Sequence, residues 1–184
     1  MTAVPGRNRV RIIAGKWRSR LVSFPPAAQL RPTPDRVRET LFNWLGQRLD
    51  GLRCLDLFAG SGALGFEALS RGAASVVMVE NDRAVAKALH DSARLLGAEG
   101  VEVVQSDALK YLERSRGKFD VVFVDPPFAS DLAVRAMALL PPLLEAGARV
   151  YVESAALLDL PASWRLARDD RAGAVRYALY EPIP

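Results

Sequence analysis

The chain is poor in the residues on which much enzyme chemistry depends. Its 184 residues include one cysteine, Cys54, and one histidine, His90. A disulfide within the chain is therefore impossible, and a structural zinc site has too few thiolate and imidazole ligands to form. Cys54 opens an apolar, strand-like run and reads as core; His90 lies mid-helix among Lys87, Asp91 and Arg94 and reads as surface. Long hydrophobic runs are missing too. The longest, from Ala136 to Leu144, is broken by Pro141-Pro142 and is far too short to span a bilayer. No apolar stretch follows the first arginines, so a secretory signal is not expected. These absences predict a cytoplasmic protein with no metal and no membrane association.

What is present suits one soluble domain with a small appendage, long enough to bury a full core. A monomer is expected. Charge is uneven. Residues 1–40 carry nine basic groups (Arg7, Arg9, Arg11, Lys16, Arg18, Arg20, Arg31, Arg36 and Arg38) against Asp35 and Glu39. That region sums to +7 in a chain whose net charge is +4, so the remaining 144 residues sum to −3. Positive charge gathered on one arm is the electrostatic footprint of a nucleic-acid partner. A solvated, arginine-rich hairpin is the competing explanation.

Periodicity divides the chain further. Arg9 to Ile13 and Leu21 to Phe24 read as a hairpin in which Arg and apolar residues alternate (Arg9, Val10, Arg11, Ile12). Trp17 sits at its tip between Lys16 and Arg18, where it either packs or stacks on a base. After a proline-rich link from Pro25 to Pro34, Thr33 is a natural N-cap with Pro34 at the first helical position, and Val37, Leu41, Leu45 and Leu49 fall on one face. Residues 1–30 are thus expected to form a basic arm and 31–184 the main domain. Strands are predicted at 52–57, 75–79, 101–104, 119–124 and 147–152, with helices at 62–71, 83–96, 107–114 and 131–140. Strands 163–168 and 174–180 follow, joined through Asp169 to Gly173. The expectation is an α/β, Rossmann-like, doubly wound sheet ending in an antiparallel hairpin: the class I methyltransferase fold.

The first sheet strand runs into Asp56-Leu-Phe58-Ala-Gly60-Ser-Gly62. Glycines there let backbone approach a ligand, and a helix N-terminus supplies free N–H groups. Gly60 to Gly65 also fits the G-x-G-x-x-G pattern of dinucleotide sites. Asp56 at the strand end, and the lack of anything downstream suited to hydride chemistry, favour S-adenosylmethionine over NAD. Asp56, with Gly60 and Gly62, would face the methionine part, whose ammonium welcomes a carboxylate, and Phe58 is a further cofactor-binding candidate. Glu80 ends the second strand and could accept both ribose hydroxyls, with Asn81 beside it; capping the next helix is the alternative. Asp107 could accept from the adenine amino group while Ala108 offers its N–H, or Asp107 could cap the helix it precedes. Arg31, Thr33, Arg36 and Arg38 are candidates for closing the cleft on the cofactor or phosphate side.

Asp125-Pro126-Pro127-Phe128 follows the apolar run Val121 to Val124. Two prolines stop the strand, because neither has an N–H for the ladder. A carboxylate, a sharp turn and an aromatic ring are thereby fixed at the carboxyl end of a strand, the edge where open α/β sheets bind ligands. The set suits an exocyclic amine on a flat base.

With these residues in view, the chain resembles the RsmD-type small-subunit ribosomal RNA guanine-N2 methyltransferases along essentially its whole length. The resemblance is carried by Arg11-Ile-Ile-Ala-Gly-Lys-Trp-Arg18, by Leu30-Arg-Pro-Thr-Pro-Asp-Arg-Val-Arg-Glu-Thr-Leu-Phe-Asn-Trp-Leu45, by Asp56 to Gly65 and by Val124 to Phe128. It implies S-adenosylmethionine as methyl donor, a guanine in 16S ribosomal RNA as acceptor, and a partly assembled small subunit as the substrate particle. Asp125 and the Pro126 carbonyl would accept the two N2–H groups while Phe128 stacks on the base. Arg9, Arg11, Lys16, Trp17, Arg18 and Arg20 would contact RNA. Lack of a nucleophilic cysteine argues against cytosine-C5 methylation. Amino methylation of DNA or of a protein glutamine, and a binding role in ribosome assembly, remain the alternatives.

Overall fold

The computed structural model of the chain describes residues 8–26, 30–127 and 130–184. Its first element is an antiparallel hairpin of β1 (Asn8–Arg11) and β2 (Leu21–Phe24). Alternation decides the two faces: Val10, Val22 and Phe24 are buried, while Arg9 and Arg11 are exposed. Ile12 and Trp17, in the connection, are buried as well. The hairpin lies against the main domain and joins its core rather than standing free.

Helix α1 (Asp35–Trp44) follows, burying Val37, Leu41 and Phe42. Leu45 and Leu49 are also buried, but Leu49 lies beyond the helix end. The expected cap by Thr33 is not made: Pro34 occupies the N-cap position with no side-chain hydrogen bond, which leaves the Thr33 hydroxyl for another partner.

The remaining chain alternates as the spacing predicts: β3 (Arg53–Asp56), α2 (Ala63–Ser70), β4 (Ser75–Glu80), α3 (Arg83–Leu96), β5 (Val101–Gln105), α4 (Ala108–Arg114), β6 (Phe119–Val124), α5 (Leu132–Leu139), β7 (Leu144–Ser154), β8 (Trp164–Ala172) and β9 (Val175–Pro182). Asp82 caps α3 by accepting from Ala84 and Val85, and Gly97, at φ +61°, ends it in the left-handed conformation. Among the described residues the sheet has seven strands in the order β5-β4-β3-β6-β7-β9-β8. The first five named are parallel, and β9 is antiparallel to both β7 and β8. This is the class I methyltransferase arrangement.

One boundary differs from expectation. The turn of the final hairpin is Gly173-Ala174, and Asp169, Asp170 and Arg171 remain in β8. Their side chains are held across the ladder: Arg176 pairs with Asp169 at 3.0 Å, and the Tyr177 hydroxyl donates to Asp170 at 2.9 Å. Cross-strand pairing thus overrides the turn preference of Asp.

Helices cover both faces, so the central strands are apolar without alternation; Val121, Val122, Phe123 and Val124 are all fully buried. One core layer gathers the hairpin, α1, α2 and α3. The other gathers α4 and α5. Cys54 belongs to the first, where burial pushes its thiol up to about 12 and leaves it unreactive.

Candidate active site

Strand β3 is the middle one of the five parallel strands, with β4 on one side and β6 on the other. Order reverses there, and the carboxyl ends of β6 and β7 open onto one cleft. Asp56 ends β3 and is buried, accepting a hydrogen bond from the Gly65 N–H at 3.0 Å. Burial raises its carboxyl to about 7; the Gly65 N–H opposes this, and the charges of Glu80 and Glu153 add to it.

The glycine loop is tied to the next strand. Gly60 donates its N–H to Glu80 Oε2 at 2.9 Å, and Asp82 donates to Glu80 Oε1 at 2.9 Å. Glu80 therefore fixes the loop and the start of α3 together, and each oxygen retains a lone pair for a ligand hydroxyl. Gly62 has φ +80°, and a Cβ there would fall 2.6 Å from the Phe66 ring. Only glycine meets both demands. Asn81 is exposed, Phe58 half-buried and Ala108 buried. Asp107 caps α4, accepting from the Lys110 N–H at 3.0 Å, and Ser106 beside it donates to the Glu80 carbonyl at 3.0 Å. The predicted cofactor residues Asp56, Phe58, Gly60, Gly62, Glu80, Asn81, Asp107 and Ala108 thus follow three neighbouring strands along one edge.

Asp125 and Pro126 are half-buried and Pro127 is exposed, whereas Phe128 lies outside the described residues. Next to Asp125 is a carboxylate that sequence reasoning missed. Val124 pairs with Val152 across β6 and β7, so the residues that follow them, Asp125 and Glu153, stand opposite each other. Glu153 Oε1 accepts from the Thr33 hydroxyl at 2.7 Å and from the Tyr151 hydroxyl at 2.9 Å. Burial raises both carboxyls, and the charge of Glu153 drives Asp125 up further. The two line a cleft of about 100 Å³ together with Pro126, Pro127 and Ser130. A signal for Glu153 was available: like Glu80, it closes an apolar strand run, Val150-Tyr-Val-Glu153.

Electrostatically, the site is one-sided. Asp56, Asp125 and Glu153 make no ion pair among the described residues. One buried and two half-buried carboxylates without a cation favour a cationic ligand, and a sulfonium with an ammonium beside it fits that donor set. Arg38, a candidate for the cleft, is elsewhere. It is fully buried, bonded to Glu67 at 3.3 Å, to Asp35 at 2.6 Å and to the Thr33 carbonyl at 3.1 Å.

Residues 10–181 match the family model described as Conserved hypothetical protein 95. Ribosomal RNA small subunit methyltransferase D of Escherichia coli is 46% identical over 181 residues, covering 96% of this chain and 91% of the relative. The chain belongs to this RsmD family. Its relative of the same description in Haemophilus influenzae is 44% identical, covering 95% of each chain. The solved structure of yhhF from Escherichia coli superimposes with a TM-score of 0.87 at 45% identity, covering 96% of this chain and 99% of that one.

In this RsmD-family chain the basic arm is anchored at an unexpected place. Lys16 and Trp17 donate their N–H groups to the Ser70 carbonyl and hydroxyl at 2.8 and 2.9 Å. Ser70 ends α2, whereas the glycine loop precedes its first residue, so the hairpin tip lies about 12 Å from the loop along the helix axis. Trp17 is only 5% exposed, so its ring fills the core and is withheld from a base; this decides for the packing alternative. Arg9, Arg11, Lys16, Arg18 and Arg20 are exposed. Arg11 meets Asp35 at 3.2 Å, and Arg20 donates to the Leu95 carbonyl at the end of α3 at 2.8 Å. From there, Arg94, His90, Lys87 and Arg83 recur along the exposed face of α3 back toward the cleft edge. An open groove of about 530 Å³ runs beside Arg83, Lys87, His90 and Gln105.

Proposed function

We propose that this protein transfers the methyl group of S-adenosylmethionine to the exocyclic N2 of a guanine in 16S ribosomal RNA, on the small subunit. The observation that carries the reading is the placement of Asp125-Pro126 beside Glu153, at the sheet's switch point and next to the glycine loop. Asp56, Phe58, Gly60, Gly62, Glu80, Asn81, Asp107 and Ala108 hold the cofactor in this reading. Asp56 meets its ammonium, Glu80 its ribose, and Asp107 with Ala108 its adenine. Thr33 closes the cleft by holding Glu153.

When bound, the cofactor supplies an already activated methyl group. The chain's own task is then positioning and charge placement. Asp125 and the Pro126 carbonyl accept the two N2–H groups, which draws the amine from planar toward tetrahedral geometry and aims its lone pair. Phe128 stacks on the unstacked guanine in this proposal. The arm of residues 1–30 and the outer face of α3 hold the RNA backbone, and residues 31–184 form the catalytic domain. We assign the protein to the cytoplasm as a monomer that needs no metal. No helix among the described residues is long and apolar enough to cross a membrane.

Radiolabelled methyl transfer to undermethylated small subunits, followed by nucleoside analysis, tests the reading. Label in N2-methylguanosine is the expected result. Label in any other nucleoside overturns the acceptor atom, and label only in DNA or protein overturns the substrate class.

A further inference from the structure

We propose that Glu153 is the proton sink of the reaction, acting through Asp125 as a positioning residue. The two carboxyls hold one proton between them and take up a second when guanine N2 is methylated. This rests on the guanine-N2 reading.

The geometry sets the arrangement. Asp125 and Glu153 stand opposite each other at the ends of adjacent parallel strands and line the same cleft. Two carboxylates facing each other at neighbouring strand ends in a partly buried cleft resist ionising together. The donors decide which carboxyl keeps the charge. Thr33 and Tyr151 both donate to Glu153 Oε1, at 2.7 and 2.9 Å, and hydroxyl donors favour an ionised acceptor. Asp125 therefore carries the shared proton and offers it to Glu153. Burial and the neighbouring Glu153 charge raise Asp125 well above its ordinary range, in agreement.

Other groups around the pair do not supply a competing charge. Asp56, at the end of β3, adds negative potential. Tyr177 of β9, which pairs with Glu153 in register, directs its hydroxyl to Asp170, and the adjacent Arg176 is engaged by Asp169.

The proton balance is then explicit. Methyl transfer forms the N2–C bond and breaks the S–C bond, leaving a positive charge on N2. That nitrogen loses one proton to the free oxygen of Asp125, and Asp125 passes its own proton to Glu153. The pair gains one proton and becomes neutral, and solvent reclaims the proton after product leaves.

Glu153→Gln keeps the shape and an amide oxygen for Thr33 and Tyr151, but removes the acceptor. We expect kcat for small subunits to fall about tenfold to hundredfold with KM within about twofold, because a relayed proton transfer is lost while binding is kept. The pH–rate profile should lose the limb due to the pair. Thr33→Val, which removes one donor and no carboxyl, should move that limb upward, and Thr33→Ser should restore it. A readout independent of turnover is the infrared band of the protonated carboxyl in the free protein. It should be present in the wild type, absent from Asp125→Asn, where Thr33 and Tyr151 keep Glu153 ionised, and retained in Glu153→Gln, where burial keeps Asp125 protonated with no carboxylate to relay to. An unchanged kcat and pH profile in Glu153→Gln, or a wild type without that band, overturns the inference. A wild type that forms no N2-methylguanosine overturns the underlying function instead.

Discussion

Thr33 and Glu153 are 120 residues apart in sequence and share a hydrogen bond of 2.7 Å. This bond fastens the link before α1 to the carboxyl end of β7, and so closes one wall of the cleft around Asp125. It also accounts for the uncapped start of α1. A threonine spent on its own helix could not reach across the sheet.

Thr33→Val should therefore cost about 1 kcal/mol of stability, the usual worth of one hydrogen bond to a partly buried acceptor that keeps its other donor. Removing a donor raises the Glu153 carboxyl further above its ordinary range. A group so raised contributes stability that is present at low pH and lost as pH rises through its folded value. Denaturant unfolding should accordingly show the Thr33→Val deficit growing with pH, and Thr33→Ser should show little deficit. A deficit independent of pH would place the effect in packing rather than in the bond.

Asp56 makes cofactor binding pH-dependent. Burial pushes its carboxyl up to about 7, against an ordinary 3.8. A cationic ligand favours the ionised form, so it binds best above that value and displaces a proton below it. The dissociation constant for S-adenosylmethionine should rise up to about tenfold per pH unit as pH falls below 7. Asp56→Asn should bind weakly with a flat profile. Calorimetry in buffers of different ionisation heat reads both quantities, and proton uptake on binding would contradict the assignment.

Glu67 is the structural counterpart of these acids. Its buried carboxylate accepts from Arg38 at 3.3 Å, from Arg71 at 2.8 Å, and from the Ile13 and Ala14 N–H groups at 2.8 and 3.0 Å. One side chain of α2 thus joins α1 to the hairpin. Glu67→Ala leaves the fully buried Arg38 with only Asp35 as a counter-charge, and should cost about 3–5 kcal/mol. Lys87→Ala breaks an exposed pair and should cost less than about 1 kcal/mol. Denaturant midpoints compare the two; equal losses would mean that the Glu67 network is not a buried one in solution.

The sequence was a good guide wherever local chemistry decides. Short apolar runs placed the strands, their spacing placed the helices between them, and the glycine loop and Asp125-Pro126-Pro127 marked two strand ends. It was a poor guide where a partner comes from far along the chain. Arg38 reads as an active-site cation until Glu67 is seen beside it. Trp17 reads as a tip residue until Ser70 is seen to hold its backbone. Glu153 was missed because the seventh strand was ended at Val152, one residue short of the acid that faces Asp125. Thr33 reads equally as a cap and as a residue closing the cleft, because nothing nearby announces a strand end as its acceptor.

The arm's anchorage changes how its role in RNA binding is best tested. Val10, Ile12, Trp17, Val22 and Phe24 are all buried, and burying a large apolar side chain stabilises by about 1.5–3 kcal/mol. Deleting residues 1–24 would strip the faces of α2 and α3 and confuse unfolding with lost contacts. Charge reversal at exposed positions separates the two effects. Arg9→Glu, Lys16→Glu and Arg18→Glu should leave the melting temperature and S-adenosylmethionine affinity unchanged. Each should weaken binding to small subunits and lower the slope of log K against log salt by about 0.7–0.9, the release of one phosphate's counterions. Arg83→Glu and Arg94→Glu on α3 should act alike, because the same face leads from the arm to the cleft edge. An effect confined to α3 would leave the hairpin a purely structural element, held by Glu67 and Ser70, and move the RNA path onto the helix alone.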